Sequence, residues 1–118
     1  MAWTYSQSSG QLTRNGEPIA TGYSGFGPGR NNPVEQAVRN VGPIPQGRYV
    51  IGPEFDAPVQ GPCTMRLSPE GHDALGRGGF LIHGDNAAHD ASTGCVILPI
   101  ECRQEIAASA DRELEVIA

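Results

Sequence analysis

Short apolar runs alternate with turn-forming residues along most of the chain, a pattern of many short strands rather than of long helices. Trp3-Thr4-Tyr5 is a first β-prone run and Gln11-Leu12-Thr13-Arg14 a second. Asn15-Gly16 follows at once, the dipeptide that supplies two positive φ angles to a tight hairpin, so the chain is expected to reverse into Ile19–Tyr23. Residues 24–47 lose the pattern and become rich in Gly, Pro and Asn; a loop of that length in a small domain usually forms the wall or lid of a site. Within it, Asn32 before Pro33 is a cap for one helical turn in residues 34–41. Further strands are expected at 47–52, at 64–67, at 79–83 and at 95–98, with turn-rich or polar connections at 53–62 and 68–78. Pro99 opens the one convincing helix, residues 99–108, with Glu101 near the positive end of its dipole. The acidic–apolar alternation of Glu113-Leu114-Glu115-Val116-Ile117 fits a half-exposed terminal strand. The expectation is a mainly β domain of six to eight short strands with one short helix near the C-terminus.

Composition agrees with this picture. The 118 residues include 16 glycines and 10 prolines, which suits strands joined by turns and argues against a helical bundle. That length makes one domain, residues 1–118, with a single modest core. The net charge of −5 speaks against nucleic acid or an anionic membrane as partner. No stretch approaches the ~20 apolar residues that span a bilayer, so no membrane insertion is expected. The stretch Met1–Ser6 has neither a basic n-region nor an apolar core, so no Sec signal is expected there. Cys63, Cys95 and Cys102 show no metal-type spacing, and only His72, His83 and His89 could supplement them, so neither a metal nor another cofactor is expected. Three cysteines leave at least one thiol unpaired; if Cys63 and Cys102 were bridged, it would be Cys95.

Two apolar runs carry the candidate chemistry. Gly79-Phe80-Leu81-Ile82 ends in His83, and Cys95 opens Val96-Ile97-Leu98. A polar loop separates them, long enough to return the chain so that neighbouring strands set an imidazole beside a thiol. Thiolate catalysis needs that pair, because a free cysteine is mostly protonated at neutral pH and the imidazole both takes and returns the proton. Gly84 and Gly94 flank the two reactive residues and allow close approach of a ligand; the amides of Gly94 and Cys95 are candidate oxyanion donors. Asp85 and Ser92 are candidates for lining the site. Arg77 is a candidate for a bidentate grip on a carboxylate, and Tyr23, Tyr49 and Thr93 for walls of the groove. His72 and His89 read as surface residues.

His83-Gly84 together with Ser92-Thr93-Gly94-Cys95 resembles the L,D-transpeptidase catalytic family, which carries an upstream His and a Ser/Thr-His-Gly-Cys box. Thr93 stands where that box has its second His, and Val96 stands where a basic or amide residue usually follows the cysteine. A narrower resemblance runs through Trp3-x-Tyr5, Gly22-Tyr23-Ser24-Gly25, Asn31-Asn32-Pro33, Gly42-Pro43-Ile44-Pro45, Gly76-Arg77 and Phe80-x-Ile82-His83-Gly84-Asp85. These residues are similar to small type VI secretion effectors that attack peptidoglycan as L,D-carboxypeptidases and L,D-transpeptidases. The resemblance implies a β-sandwich-like fold, Cys95 as nucleophile, His83 as base, and a backbone carbonyl holding the imidazole. It also implies a peptidoglycan stem peptide as substrate, a cognate immunity protein and the secretion machinery as partners, and delivery from the producing cytoplasm into a target-cell periplasm. A peptidoglycan amidase or endopeptidase using the same pair, and a non-catalytic binding module on the same fold, are the alternatives.

Overall fold

The computed structural model describes residues 3–118; Met1 and Ala2, part of the stretch expected to carry no signal, lie outside the described residues. The ten strands are β1 (Trp3–Ser6), β2 (Gln11–Arg14), β3 (Glu17–Thr21), β4 (Tyr23–Ser24), β5 (Gly47–Ile51), β6 (Phe55–Ala57), β7 (Gly61–Glu70), β8 (Leu81–His83), β9 (Val96–Ile97) and β10 (Glu113–Ile117). The single α-helix, α1 (Ile100–Ala108), follows β9 directly. The domain is therefore mainly β with one short helix near the C-terminus, as the turn-rich pattern predicts. It has more strands than the expected six to eight because the run expected over 19–23 breaks at Gly22 into β3 and β4, and the three-residue β6 lies in the connection expected at 53–62, too short to show a period.

Hydrogen-bonded neighbours run in the order β3-β2-β1-β10-β5-β7-β8-β9-β4, with β6 added on β7. Leu12 of β2 and Leu98, just past β9, stand near opposite ends of that path yet belong to one core with Trp3, Tyr5, Ile82 and Ile106. A flat sheet would hold those residues far apart, so the path must curl around its own apolar face. The first and last strands pair in parallel, Trp3 beside Leu114 and Tyr5 beside Val116, and all four side chains are buried. β10 alternates as predicted, with Leu114 and Val116 inside and Glu113 and Glu115 in water.

Three expectations change. The connection expected at 68–78 is strand through Glu70, because the β5–β7 ladder continues past Leu67 and sets Pro69 beside Tyr49 and Glu70 beside Arg48. In place of a helical turn over 34–41, Asn32 caps a 3-10 turn at Pro33–Glu35, its side chain accepting from the Val34 amide at 3.2 Å. Tyr49 is not a groove wall: it is fully buried, with its hydroxyl donating to the Pro45 carbonyl at 2.8 Å. The loop of residues 24–47 is itself tied down, with Ser24 Oγ accepting from the Ile44 amide at 2.9 Å and the Phe26 amide donating to Val41 O at 2.8 Å.

Candidate active site

β8 and β9 are parallel neighbours, with Ile82 beside Val96 and His83 beside Ile97. The twelve residues between them form the kind of crossover that parallel pairing requires. Extending the register back by one residue sets Cys95 opposite Leu81. Side chains alternate along a strand, so Cys95 and His83 occupy successive positions on one face of the ladder. The crossover thus sets the two residues that the sequence singles out at the ends of neighbouring strands.

His83 is buried, and its Nδ1 donates to the Gly84 carbonyl at 2.8 Å, an orientation that leaves Nε2 as the basic nitrogen. Burial pushes the imidazole below its ordinary value of 6.5; the Gly84 carbonyl opposes that, and the nearby Arg103 charge adds to it. The Cys95 thiol is half-buried and points at the Gly79 carbonyl at 3.9 Å. Burial pushes the thiol up, while the Leu81 amide and the Arg77 charge favour the thiolate. Both shifts favour the uncharged form, and among the described residues no hydrogen bond joins Cys95 to His83. Such contacts commonly close only when substrate is bound.

A cavity of about 180 Å³ lies beside Cys95 and is lined by Arg39, Asn40, Arg77, Phe80, Thr93 and Gly94 among others. A second recess, of about 230 Å³, lies beside His83 and is lined by Val59, Gln60, Asp85, Asn86 and Ala91. Thr93 is exposed and lines the first of these.

Ser92 does not line the site. It is 0% exposed, and its hydroxyl donates to Cys95 O at 2.6 Å while accepting from the amides of Gly25 at 2.9 Å and Gly94 at 3.1 Å. It ties the turn before Cys95 to the long loop. Gly94 spends its amide on that hydroxyl, so the Cys95 amide is the oxyanion candidate that remains. Gly94 has φ +145°, and a Cβ there would lie 2.6 Å from the Arg77 guanidinium, so no larger residue fits without displacing it.

Arg77 is also placed differently from the expectation of a free fork. It is 8% exposed, and NH1 donates to Gln36 O (2.6 Å) and Pro43 O (2.8 Å), NH2 to Gly42 O (3.1 Å) and Thr93 O (3.2 Å). Its terminal donors are spent on carbonyls, which clamp the long loop to the turn before Cys95. Burial holds this guanidinium below its usual range, and repulsion from Arg39 adds to the effect against the opposing Tyr49.

Asp85 lines the recess beside His83 but spends its hydrogen bonds on a network of its own. It accepts from the Tyr23 hydroxyl (2.6 Å), the Asn86 amide (2.8 Å) and His89 Nδ1 (2.8 Å). Burial opposes its charge, but those donors, Tyr23 foremost, outweigh it and hold the carboxyl below its ordinary value. Tyr23 is buried rather than presented to a ligand; its hydroxyl also accepts from the Ala91 amide at 2.9 Å, and burial with the Asp85 contact pushes it up to about 12. His89 is exposed, in keeping with its surface assignment, whereas His72 is half-buried between Arg48 O (2.8 Å) and the Ala74 amide (3.0 Å).

Arg103 is a participant that sequence reasoning missed. From α1 it reaches under the site, donating to Leu98 O (3.0 Å) and Pro62 O (2.6 Å), and its guanidinium packs where a Cβ on Gly84 would stand, 2.7 Å away. No signal in the sequence marks a helix arginine as buried. All three cysteines are free thiols. Among the described residues no three His, Cys, Asp or Glu side chains converge as a metal would need, and no helix is long and apolar enough to cross a membrane.

The small, mainly β domain thus sets Cys95 and a carbonyl-anchored His83 at the ends of neighbouring strands, each beside a recess. The Tlde1 domain profile matches residues 19–116, and the chain belongs to that family, a family of type VI effectors. No curated protein matches the chain. Membership implies secretion into target cells, with secretion machinery and an immunity protein as partners. The match begins after β1 and β2, yet β1 lies between β2 and β10 and contributes Trp3 and Tyr5 to the core, so the preceding residues are integral to this fold.

Proposed function

We propose that the domain is an antibacterial effector enzyme that acts on peptidoglycan tetrapeptide stems by cysteine acyl transfer, as an L,D-carboxypeptidase or L,D-transpeptidase in the target-cell periplasm. The observation that carries this reading is the shared face of Cys95 and His83, with Nδ1 of the imidazole held by Gly84 O and Nε2 left basic. Nε2 takes the thiol proton as the sulfur attacks the carbonyl of the third-residue diamino acid. The tetrahedral oxyanion is met by the Cys95 amide. Collapse breaks the C–N bond, Nε2 gives its proton to the departing amine, and D-Ala leaves behind a thioester. Water then hydrolyses the thioester, or the amine of another D-amino acid or stem takes the acyl group; either way the thiol is regenerated. Thr93 lines the acyl groove, and Asp85 with Tyr23 holds the loop that carries the chain from His83 to Cys95.

The test is mass analysis of purified tetrapeptide muropeptides incubated with the native protein and with Cys95→Ala. Loss of the terminal D-Ala, or its exchange for an added D-amino acid, with the native protein alone is the expected result. Cleavage within the stem or a cross-link would point to an amidase or endopeptidase. Unchanged muropeptides with a folded native protein would leave a binding module.

A further inference from the structure

The cavity beside Cys95 carries two positive charges that the chain itself does not neutralise. Arg39 and Arg77 both line it, and no Asp or Glu does. Neither guanidinium pairs with an acidic side chain among the described residues, whose ion pairs include Arg14–Asp111 and His89–Asp85. The two arginines are not equivalent. Arg77 is committed to four carbonyls, whereas Arg39 is exposed and makes one hydrogen bond, NH2 to the Gly76 carbonyl at 2.9 Å. That bond pins Arg39 at the cavity while leaving NH1 and Nε to a ligand. Paired positive charge without a counter-ion, next to a nucleophile, favours an anionic group on whatever the nucleophile attacks. A planar fork with free donors matches a carboxylate.

We propose that this cavity is a carboxylate subsite and that Arg39 is the specificity residue that grips a carboxylate flanking the scissile carbonyl. The proposal rests on the acyl-transfer reading for the identity of the peptide. Two carboxylates flank that carbonyl in a tetrapeptide stem: the C-terminal one of the leaving D-Ala and the side-chain one of the diamino acid.

The experiment measures binding rather than turnover. Cys95→Ala protein, with and without Arg39→Gln, is titrated calorimetrically with three peptides: the free tetrapeptide, its C-terminal amide, and the form amidated on the diamino acid. Arg39→Gln is expected to weaken the free tetrapeptide by about tenfold or more, the scale of one charge-assisted pair. It should leave unchanged the affinity of the peptide whose amidation removes the recognised carboxylate, which identifies the source. Arg39→Lys, which keeps the charge but not the fork, should fall between. Equal weakening of all three peptides by Arg39→Gln, no weakening of any, or no binding by the parent would overturn the subsite. Binding with this pattern but without turnover by the native protein would uphold the subsite and sink the acyl-transfer reading, so the two fail separately.

Discussion

On the Cys95 side of the groove the charged groups are guanidiniums facing backbone carbonyls; on the His83 side the charged group is Asp85, facing a hydroxyl, an amide and an imidazole. Both flanks fasten a loop around a reactive side chain, one with a cation that gathers acceptors and the other with an anion that gathers donors. The consequence is a field across the groove. Positive charge lies where a thiolate would form, and the Asp85 carboxylate lies on the side where an imidazolium would form, opposed there by Arg103. That is the sense of charge separation that proton transfer from Cys95 to His83 needs. The flanks also differ in depth. Arg77 is buried and Asp85 is exposed, so the same kind of polar clamp should matter more on the thiol side.

The largest effect should come from removing the imidazole. His83→Ala is expected to cost about three orders of magnitude or more in D-Ala release, whereas Asp85→Asn, which keeps the loop's shape, should cost far less. Comparable losses from both would make Asp85 part of the proton path. Next comes stability. Arg77→Met strands several carbonyls and should lower unfolding free energy by about 3 kcal/mol or more, while Arg39→Gln should stay within about 0.5 kcal/mol, both read from urea midpoints. Equal costs would erase the division between a structural and a ligand-facing arginine.

The pH profile tests the field. The imidazole must be neutral to accept the proton, and its folded value lies below 6.5. Activity should therefore rise with pH through a limb below the usual histidine range and hold until the thiol titrates. Arg103→Met removes a cation that lowers His83, so the acid limb of kcat/KM should move to higher pH; an unmoved limb would show that burial alone sets it. A modest effect belongs to Tyr23→Phe, which should cost about 1 kcal/mol near neutrality by removing the hydroxyl between Asp85 and the Ala91 amide. Because the Asp85 carboxyl is held below its ordinary value, its contribution is present above that value and is lost as pH falls through the folded one. The gap between the two proteins should therefore narrow in acid.

Much of the fold was legible because its signals are local. Asn15-Gly16 does form the β2–β3 turn, Pro99 does stand at the start of α1, and the alternation of β10 does mark its buried face. The strands that flank the candidate pair were legible for a similar reason, since one apolar run ends in His83 and another opens at Cys95. Ser92, Arg77 and Tyr23 were found as participants, but the hydrogen bonds they make to the chain's own groups were not legible. Type and position alone cannot say whether a polar side chain points at a ligand or at its own backbone; that depends on which unpaired carbonyls and amides the fold leaves nearby. Arg39 and Arg103 carried no signal, because one sits in an irregular loop and the other on a helix whose solvent face would ordinarily take an arginine.

The sequence by itself determined the strand-rich architecture, the hairpin and the helix near the C-terminus, all of which follow from backbone preferences and periodicity over a few residues. Only the tertiary structure decided that β8 and β9 lie parallel so that Cys95 and His83 share a face, that Gly84 O rather than Asp85 orients the imidazole, and that Arg77 is a clamp while Arg39 stands free. Those outcomes hang on contacts between residues tens of positions apart, where burial and the supply of unpaired backbone groups, rather than local propensity, set what each side chain does.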